Sequence, residues 1–232
     1  MAALAITWYG HATFVVTTPG GKRIVFDPWL NGNPKAPAGA RIDKADVICV
    51  THGHSDHTAD VITVARATGA PVVAVFELGN YFRGKGLKDV VDMGVGGTVD
   101  VKGLKISMTP AVHTSCIEED GQQLYVGTAT GFVVRMEDGR AIYFAGDTAL
   151  FGDMRLIREM YAPEIAFLPI GDHYTMDPAA AAKACEMLGV RQVVPMHYGT
   201  FPVLTGSPDE LKKLVEPKGV DVLVLKPGET AS

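Results

Sequence analysis

The chain has 232 residues, of which 47% are hydrophobic and 20% are charged. This balance is typical of a globular protein with a sizeable core, and it excludes a disordered or fibrous chain. The formal net charge is −5, so the composition shows no basic surface of the kind that binds nucleic acid.

The N-terminal sequence and the cysteines predict the cellular location of the protein. Residues 1–10 lack the basic and apolar regions of a signal peptide, and no apolar run reaches the roughly 18 residues that cross a bilayer. Cys49, Cys116 and Cys185 are too scattered for a disulfide framework, and no assigned base would activate Cys116 as a nucleophile. We therefore predict reduced thiols in a cytoplasmic protein without a membrane span.

Short apolar segments separated by Gly and Pro predict strands along most of the chain. The predicted strands are 6–8, 13–17, 23–26, 47–51, 71–76, 105–109, 131–136, 141–145, 165–170, 192–196 and 221–225. Asp at the start, Pro in the first turn and Gly after the end are typical of helices, which we predict over 60–68, 153–160 and 178–188 and from Ser207 onward. The mixture indicates an α/β protein.

A weak internal repeat relates two parts of the chain. When the sequence is aligned with itself at one constant offset, Phe14-Val15-Val16 matches Phe132-Val133-Val134, and Gly53 matches Gly171. Any two hairpins share such residues, so chance is the alternative. The common order of hairpin, strand, loop, helix and strand favours a true repeat. We predict one domain, 1–232, built from two similar halves, roughly 1–125 and 126–232, whose sheets pack together.

Three of the seven histidines lie in the segment His52-Gly53-His54-Ser55-Asp56-His57, directly after a predicted buried strand. Alternate residues of an extended chain point the same way, so His52, His54 and Asp56 can converge, and His57 follows as the chain turns. Imidazole and carboxylate groups bind zinc and equally iron, manganese or nickel. An exposed polar loop is the alternative, but this density of ligand-type residues favours a metal site.

This segment resembles the His-x-His-x-Asp-His signature of the metallo-β-lactamase fold superfamily. Further matches follow in the same order, in Ala111-Val112-His113, Phe144–Thr148 and Pro195–Gly199. Trp8–Thr13, Phe26–Leu30 and Pro169–Asp172 are similar to the UPF0173 metal-dependent hydrolases, which are related to the ascorbate-6-phosphate lactonase and N-acyl-phosphatidylethanolamine phospholipase D branch. The resemblance covers nearly the whole chain and implies a four-layer αββα sandwich with two facing mixed sheets and outer helices.

The resemblance also implies a complete set of ligands for two divalent cations. One cation would be held by His52, His54 and His113, the other by Asp56, His57 and His197, with Asp147 bridging the pair. Zinc is the first expectation, with manganese, iron and nickel as alternatives. Two such ions about 3.5–4 Å apart generate hydroxide at neutral pH, which implies hydrolysis of an ester, lactone or phosphodiester in a small substrate. Asp56 or Asp147 would then accept a proton from the attacking water.

Several candidate residues, taken singly, also fit a purely structural role. Asp147 could cap a helix beginning near residue 149, and His113 and His197 could be ordinary loop histidines. His11 and His173 are predicted near the same edge, where each would contact a metal ligand or the substrate, or make an ordinary loop hydrogen bond. Segments 31–41 and 114–123 are predicted as loops that shape the mouth of the pocket.

Two functional alternatives stay open. One is a mononuclear iron oxygenase, which also occurs on this fold, and the other is a non-catalytic sensor of metal or metabolite. Members of the superfamily that process nucleic acid carry an inserted domain or a basic arm, and this sequence has neither. Relatives are commonly oligomeric, so a homo-oligomer is one expectation.

Overall fold

The computed structural model describes residues 4–232. Its strands are Ala5–Trp8 (β1), Phe14–Thr17 (β2), Arg23–Phe26 (β3), Val47–Cys49 (β4), Val72–Val75 (β5), Val90–Met93 (β6), Thr98–Val101 (β7), Leu104–Pro110 (β8), Cys116–Glu119 (β9), Gln122–Tyr125 (β10), Thr130–Arg135 (β11), Ala141–Phe144 (β12), Ile165–Pro169 (β13), Gln192–Met196 (β14), Asp221–Val222 (β15) and Thr230–Ala231 (β16). Its α-helices are Ser55–Thr58 (α1), Val61–Thr68 (α2), Phe76–Gly84 (α3), Met154–Tyr161 (α4), Pro178–Leu188 (α5) and Pro208–Val215 (α6). Residues 1–3 of the N-terminal segment considered above lie outside the described residues.

The helices with clear end signals form where the sequence predicts them. Asp177 accepts a hydrogen bond from the Ala180 amide at the start of α5, and Ser207 forms a reciprocal capping box with Glu210 at the start of α6. Gly189 ends α5 in the left-handed conformation, which glycine adopts without steric cost. These local signals therefore suffice to place both helices.

Several segments differ from their predictions, among them 71–76 and 114–123. The prediction of a loop over 114–123 is wrong, because β9 and β10 pair there as a hairpin in which Ile117 lies opposite Leu124. Ile117 is buried, so the hairpin is held to the core despite its acidic residues. The predicted strand over 71–76 ends before Phe76, which begins α3. Gly79 in α3 packs closely on Asp92 of β6, a tertiary contact that outweighs the poor helix propensity of glycine.

Fourteen strands form two seven-stranded mixed sheets that face each other, and β9 and β10 form a separate two-stranded sheet. This confirms the predicted fold class. The first sheet has the order β16-β1-β2-β3-β4-β5-β6 and the second β15-β14-β13-β12-β11-β8-β7. Aromatic rings fill the space between them: Phe26 stacks on Phe144 at 4.3 Å, and Phe14 meets Phe167 edge-on at 5.0 Å. The core therefore lies mainly between the sheets.

The helices cover the outer faces of this sandwich. Helix α3 packs on β5 and β6, α5 packs on β13, and α6 packs on β15. Because the inner faces of the sheets contact each other, these helices form the outer layers of an αββα arrangement. Within residues 4–232, no helix is long and apolar enough to cross a membrane.

The two sheets repeat one pattern of strand orientation. In the first sheet, β1 to β3 pair antiparallel and β3 to β6 pair parallel. In the second sheet, β8, β11 and β12 pair antiparallel and β12 to β15 pair parallel. The internal repeat and the single domain over 1–232 stay predictions. The sheets do not divide the chain at residue 125, however, because β7 and β8 already belong to the second sheet and β16 returns to the first.

Strand direction determines where a site can form. In the first sheet β1, β3 and β4 run the same way, and in the second sheet β8, β12 and β14 run the same way. The segments after their carboxyl ends contain the candidate ligands. Ligand sites of α/β sheets commonly lie outside such strand ends.

Candidate metal centre

Two groups of ligand-type side chains converge at one edge of the sandwich. Ligand atoms of His52, His54 and His113 all lie within 4.8 Å of one another. Ligand atoms of a second group do the same; its members are His11, Asp56, His57 and His197. Each group combines residues from segments far apart in the sequence. The structure thus brings together both predicted trios and adds His11 to the second.

Asp147 lies between the two groups. Its Oδ2 atom is 2.9 Å from His197 Nε2 and 3.4 Å from His57 Nε2. The same oxygen is 3.9 Å from His52 Nε2 and 3.7 Å from His113 Nε2. A single carboxylate oxygen therefore faces members of both groups, as a bridging ligand must. No helix begins near residue 149, since α4 starts at Met154, so the alternative role of a helix cap is wrong.

Some buried polar atoms at this site have no hydrogen-bond partner. They include His57 Nε2, Asp147 Oδ1 and His197 Nδ1. A buried polar atom without a partner costs about 1–3 kcal/mol, so native proteins rarely leave such atoms unsatisfied. Imidazole nitrogen and carboxylate oxygen are donor atoms that suit a divalent cation. The donor set present here fits a metal ion.

His57 is held by a carboxylate that the sequence did not single out as a partner. Its Nδ1 donates to Asp27 Oδ2 at 2.8 Å, and both side chains are completely buried. Thr51 donates to the same carboxylate through its amide at 2.8 Å and its hydroxyl at 2.7 Å. With Nδ1 bound to Asp27, Nε2 faces Asp147 Oδ2 at 3.4 Å and would bind a cation there after losing its proton. This carboxylate–histidine arrangement is common behind metal-binding imidazoles.

His11 is completely buried and contacts Asp56. Its Nε2 donates to Asp56 Oδ2 at 3.0 Å, and its Nδ1 accepts from the Thr200 hydroxyl at 2.9 Å. Burial, together with the nearby His197, lowers the pKa of His11 to about 4, so the ring is neutral. His11 therefore orients Asp56 from within the protein.

The protein's own charges put His52, Asp56 and Asp147 in metal-binding forms. Burial opposes a charge on His57, but Asp147, Asp56 and Asp27 outweigh it and raise the pKa of His57 well above its usual value. Burial lowers the pKa of His52 well below its usual value, and His57 adds to this effect. Burial opposes ionisation of Asp147, but His197 and His57 outweigh it and hold the pKa of Asp147 well below its ordinary range. Burial likewise opposes ionisation of Asp56, and His57 lowers its pKa. Neutral His52 and ionised Asp147 and Asp56 are the forms that coordinate metals.

The backbone is unusual at several of these positions. His11, Asp27 and His197 have φ values of 56°, 43° and 55°, in the left-handed region that residues other than glycine seldom adopt. Such conformations persist when the surroundings hold them, and they concentrate at functional sites. Here the His197 amide donates to the His11 carbonyl oxygen at 3.2 Å, which joins loops from the two sheets.

Gly171 leaves room for the His197 loop. A Cβ atom at Gly171 would overlap the carbonyl oxygen of His197. We therefore expect Gly171→Ala to displace this loop and to lower the free energy of unfolding by about 1–3 kcal/mol, the usual cost of overpacking. Chemical denaturation would measure the change. Gly152→Ala is the matched control, because a Cβ there meets no atom within 4 Å; equal stability of the two variants would contradict the expectation.

Known proteins resemble this chain over most of its length. A family model described as the beta-lactamase superfamily domain matches residues 22–198. A UPF0173 metal-dependent hydrolase from Rubrobacter xylanophilus is 51% identical over 228 residues, covering 97% of this chain and 94% of the relative. One from Methanopyrus kandleri is 46% identical over 229 residues, covering 98% of this chain and 99% of the relative.

A solved structure agrees with these relatives. Igni18, described as a metallo hydrolase from the hyperthermophilic archaeon Ignicoccus hospitalis, matches with a TM-score of 0.87 and 38% identity, over 98% of this chain and 97% of its own. The chain belongs to the UPF0173 family of metal-dependent hydrolases. This confirms the predicted family and the predicted enzyme class. The relation to the lactonase and phospholipase D branch stays a prediction.

The structure does not bring every predicted residue of this UPF0173 hydrolase into the cluster. The His173 side chain is exposed and packs edge-on against Tyr174 at 4.4 Å. Asp172 and His173 both adopt left-handed φ values, 64° and 58°, so the chain turns sharply after β13. The simple alignment of the repeat, which matches His173 to Ser55 beside the metal edge, does not account for this turn.

A cavity of about 750 Å³ opens beside the ligands of the UPF0173 hydrolase. Its lining residues are Trp29, His54, Ser55, Asp56, His113, Thr114, Asp147, Tyr174, His197, Phe201, Pro202 and Val203. This volume suits a small organic molecule. Neither His11 nor His173 belongs to the lining among the described residues. The structure therefore gives no support to substrate contact by these two histidines.

Sequence reasoning missed two supporting residues of the UPF0173 hydrolase. Asp27 had a recognisable signal, because it follows β3, and β3 pairs with β4 directly before the histidine segment. Thr200 had none, because its contact with His11 joins positions 189 residues apart.

Proposed function

We propose that this UPF0173 hydrolase cleaves an ester, lactone or phosphodiester bond of a small molecule at a site for two divalent cations. His52, His54 and His113 would hold one cation, and Asp56, His57 and His197 the other, with Asp147 shared between them. The observation that carries the proposal is the position of Asp147 Oδ2, which faces histidines of both groups within 4 Å. Zinc is the first choice because the ligands are imidazoles and carboxylates in a compact cluster.

Two bound cations would supply a Lewis acid and a water acidic enough to be deprotonated at neutral pH. The chain's own residues fix the rest of the arrangement. Asp27 binds Nδ1 of His57 and fixes the orientation of the ring, so Nε2 would be the atom that binds the cation. Asp56 is 23% exposed at the cavity and is held by His11, so it can accept a proton from a water that enters there. His173 has no part in this proposal because it lies outside the cavity.

Metal analysis together with a substrate panel tests the proposal. We expect two zinc ions per chain and hydrolysis of an aryl ester, a lactone or a bis-aryl phosphodiester that stops on addition of a chelator. Two bound manganese, iron or nickel ions would support the two-cation site but replace zinc as the metal in it. A single iron with oxygen uptake would indicate the oxygenase instead. Tight metal binding without turnover on any substrate would favour a sensor.

His11 provides a direct test of how Asp56 is positioned. Asparagine tolerates the left-handed backbone but is too short to reach Asp56, so His11→Asn should free this carboxylate. We expect affinity for the cation of the second group to fall about 10–100-fold, as for other losses of a ligand's hydrogen-bond partner. Competition with a chromogenic chelator would measure it.

His173→Asn is the matched control for this change. His173 has nearly the same φ value, 58° against 56°, but its side chain is exposed outside the cluster. The control should bind both cations with unchanged affinity. Unaltered metal affinity in His11→Asn would show that Asp56 does not depend on His11.

A further inference from the structure

The cavity beside the candidate metal centre has two chemically different walls. One wall consists of candidate ligands. The other, which we name the apolar wall, consists of Trp29, Tyr174, Phe201, Pro202 and Val203. Tyr174 is 57% exposed and Val203 is 41% exposed. When a ligand covers apolar surface beside a reaction centre, the free energy of binding becomes more favourable by about 25 cal/mol per Å².

Contacts with buried residues hold the apolar wall in place. Trp29 stacks on Phe201 at 6.0 Å, and the buried His11 ring meets Trp29 edge-on at 5.2 Å and Phe201 at 5.6 Å. The Trp29 amide donates to the Thr13 hydroxyl at 2.9 Å, which fixes the backbone. A preformed wall loses little conformational entropy when a ligand binds.

Within residues 4–232, no lysine or arginine lines the cavity. Its two carboxylates, Asp56 and Asp147, lie among the candidate ligands, where the proposed cations would offset their charge. Proteins recognise phosphate and carboxylate groups mainly through arginine, lysine and backbone amides. An anionic substituent on the apolar wall would lose hydration without gaining a charged partner.

From these two walls we infer that the substrate carries an uncharged apolar group beside the bond that is cleaved, and that this group lies on the apolar wall. This inference rests on the proposed function and narrows it by excluding substrates whose group at this position is charged. For a carboxylic ester or a lactone, water adds its oxygen to the carbonyl carbon, and the bond from that carbon to the alkoxy oxygen breaks. The products are an alcohol, a carboxylate and one released proton, or the hydroxy acid anion and a proton from a lactone.

A matched pair of substrates tests the inference in the metal-loaded enzyme. 4-Nitrophenyl butyrate and 4-nitrophenyl hemisuccinate share a leaving group and have acyl chains of equal carbon number, but only the second carries a terminal carboxylate. We expect kcat/KM to be at least about tenfold higher for the butyrate. Equal or faster cleavage of the hemisuccinate would overturn the inference while retaining the hydrolase.

Charge reversal at the apolar wall gives a second, independent measurement. Val203→Lys places a cation at the rim and should raise the hemisuccinate-to-butyrate ratio of kcat/KM by about tenfold. Leu156→Lys is the matched control, because Leu156 is a 49% exposed residue of α4 outside the cavity lining. An unchanged ratio in Val203→Lys would overturn the assignment of this wall to the substrate.

Binding can be measured without turnover. Trp29 lines the cavity, while Trp8, the other tryptophan, is buried outside its lining. A ketone analogue of the butyrate should quench fluorescence of the wild type but not of Trp29→Phe, and its carboxylate counterpart should bind at least about tenfold more weakly. Equal binding of both ketones would overturn the inference. Tighter binding of the uncharged ketone without chelator-sensitive hydrolysis would refute the proposed reaction and leave this inference standing.

Discussion

Asp147→Asn should abolish chelator-sensitive hydrolysis and reduce the metal content below the wild-type value. The amide keeps the shape of the carboxylate, but it removes a negative charge and places either an NH2 group or a weaker neutral oxygen where Oδ2 now faces His57, His113 and His197. Replacing an outer hydrogen-bond partner of a metal ligand costs about 10–100-fold, so loss of the shared ligand should cost more than about 100-fold in kcat/KM.

Elemental analysis and hydrolysis rates would measure this change side by side. Asp153→Asn makes the same chemical substitution at an exposed residue before α4 and should alter neither quantity. Asp147→Asn with wild-type metal content and rate would contradict the bridging role. A folded variant with one metal ion per chain and residual activity would place Asp147 on one cation alone.

Asp27→Asn should destabilise the fold and also impair metal binding. Its carboxylate accepts from the Thr51 amide, the Thr51 hydroxyl and His57 Nδ1 in a fully buried position. An amide group cannot accept all three, because its NH2 would face either His57 Nδ1 and the Thr51 hydroxyl or the Thr51 amide, and each arrangement loses at least one of these hydrogen bonds. Removing one partner of a buried charged pair costs about 3–5 kcal/mol.

Urea denaturation in the presence of a chelator would measure this loss free of any contribution from bound metal. Asp43→Asn is the control, because Asp43 pairs with Arg41 at 2.8 Å on the exposed surface, where such a pair contributes about 0–1 kcal/mol. Equal unfolding midpoints for Asp27→Asn and Asp43→Asn would show that the Asp27–His57 contact does not stabilise the fold.

Local patterns made much of this fold and its candidate centre predictable. His52, His54, Asp56 and His57 are nearly contiguous, and capped helices such as α5 carry their own end signals. Asp27 was harder to assign, because its contact with His57 depends on the pairing of β3 with β4. The exposed side chain of His173 was not predictable, because the left-handed turn after β13 has no counterpart in the alignment of the halves.

The candidate ligands come from both layers of strands: His52 follows β4 in the first sheet, whereas His113, Asp147 and His197 follow β8, β12 and β14 in the second. Neither sheet alone presents all the candidate ligands of one cation, so binding of the proposed cations and docking of the sheets would be thermodynamically linked. Each tenfold excess of cation over its dissociation constant adds about 1.4 kcal/mol to the native state. A bound ion would thus cross-link the two sheets, and its loss would weaken the packing of Phe26 on Phe144 between them.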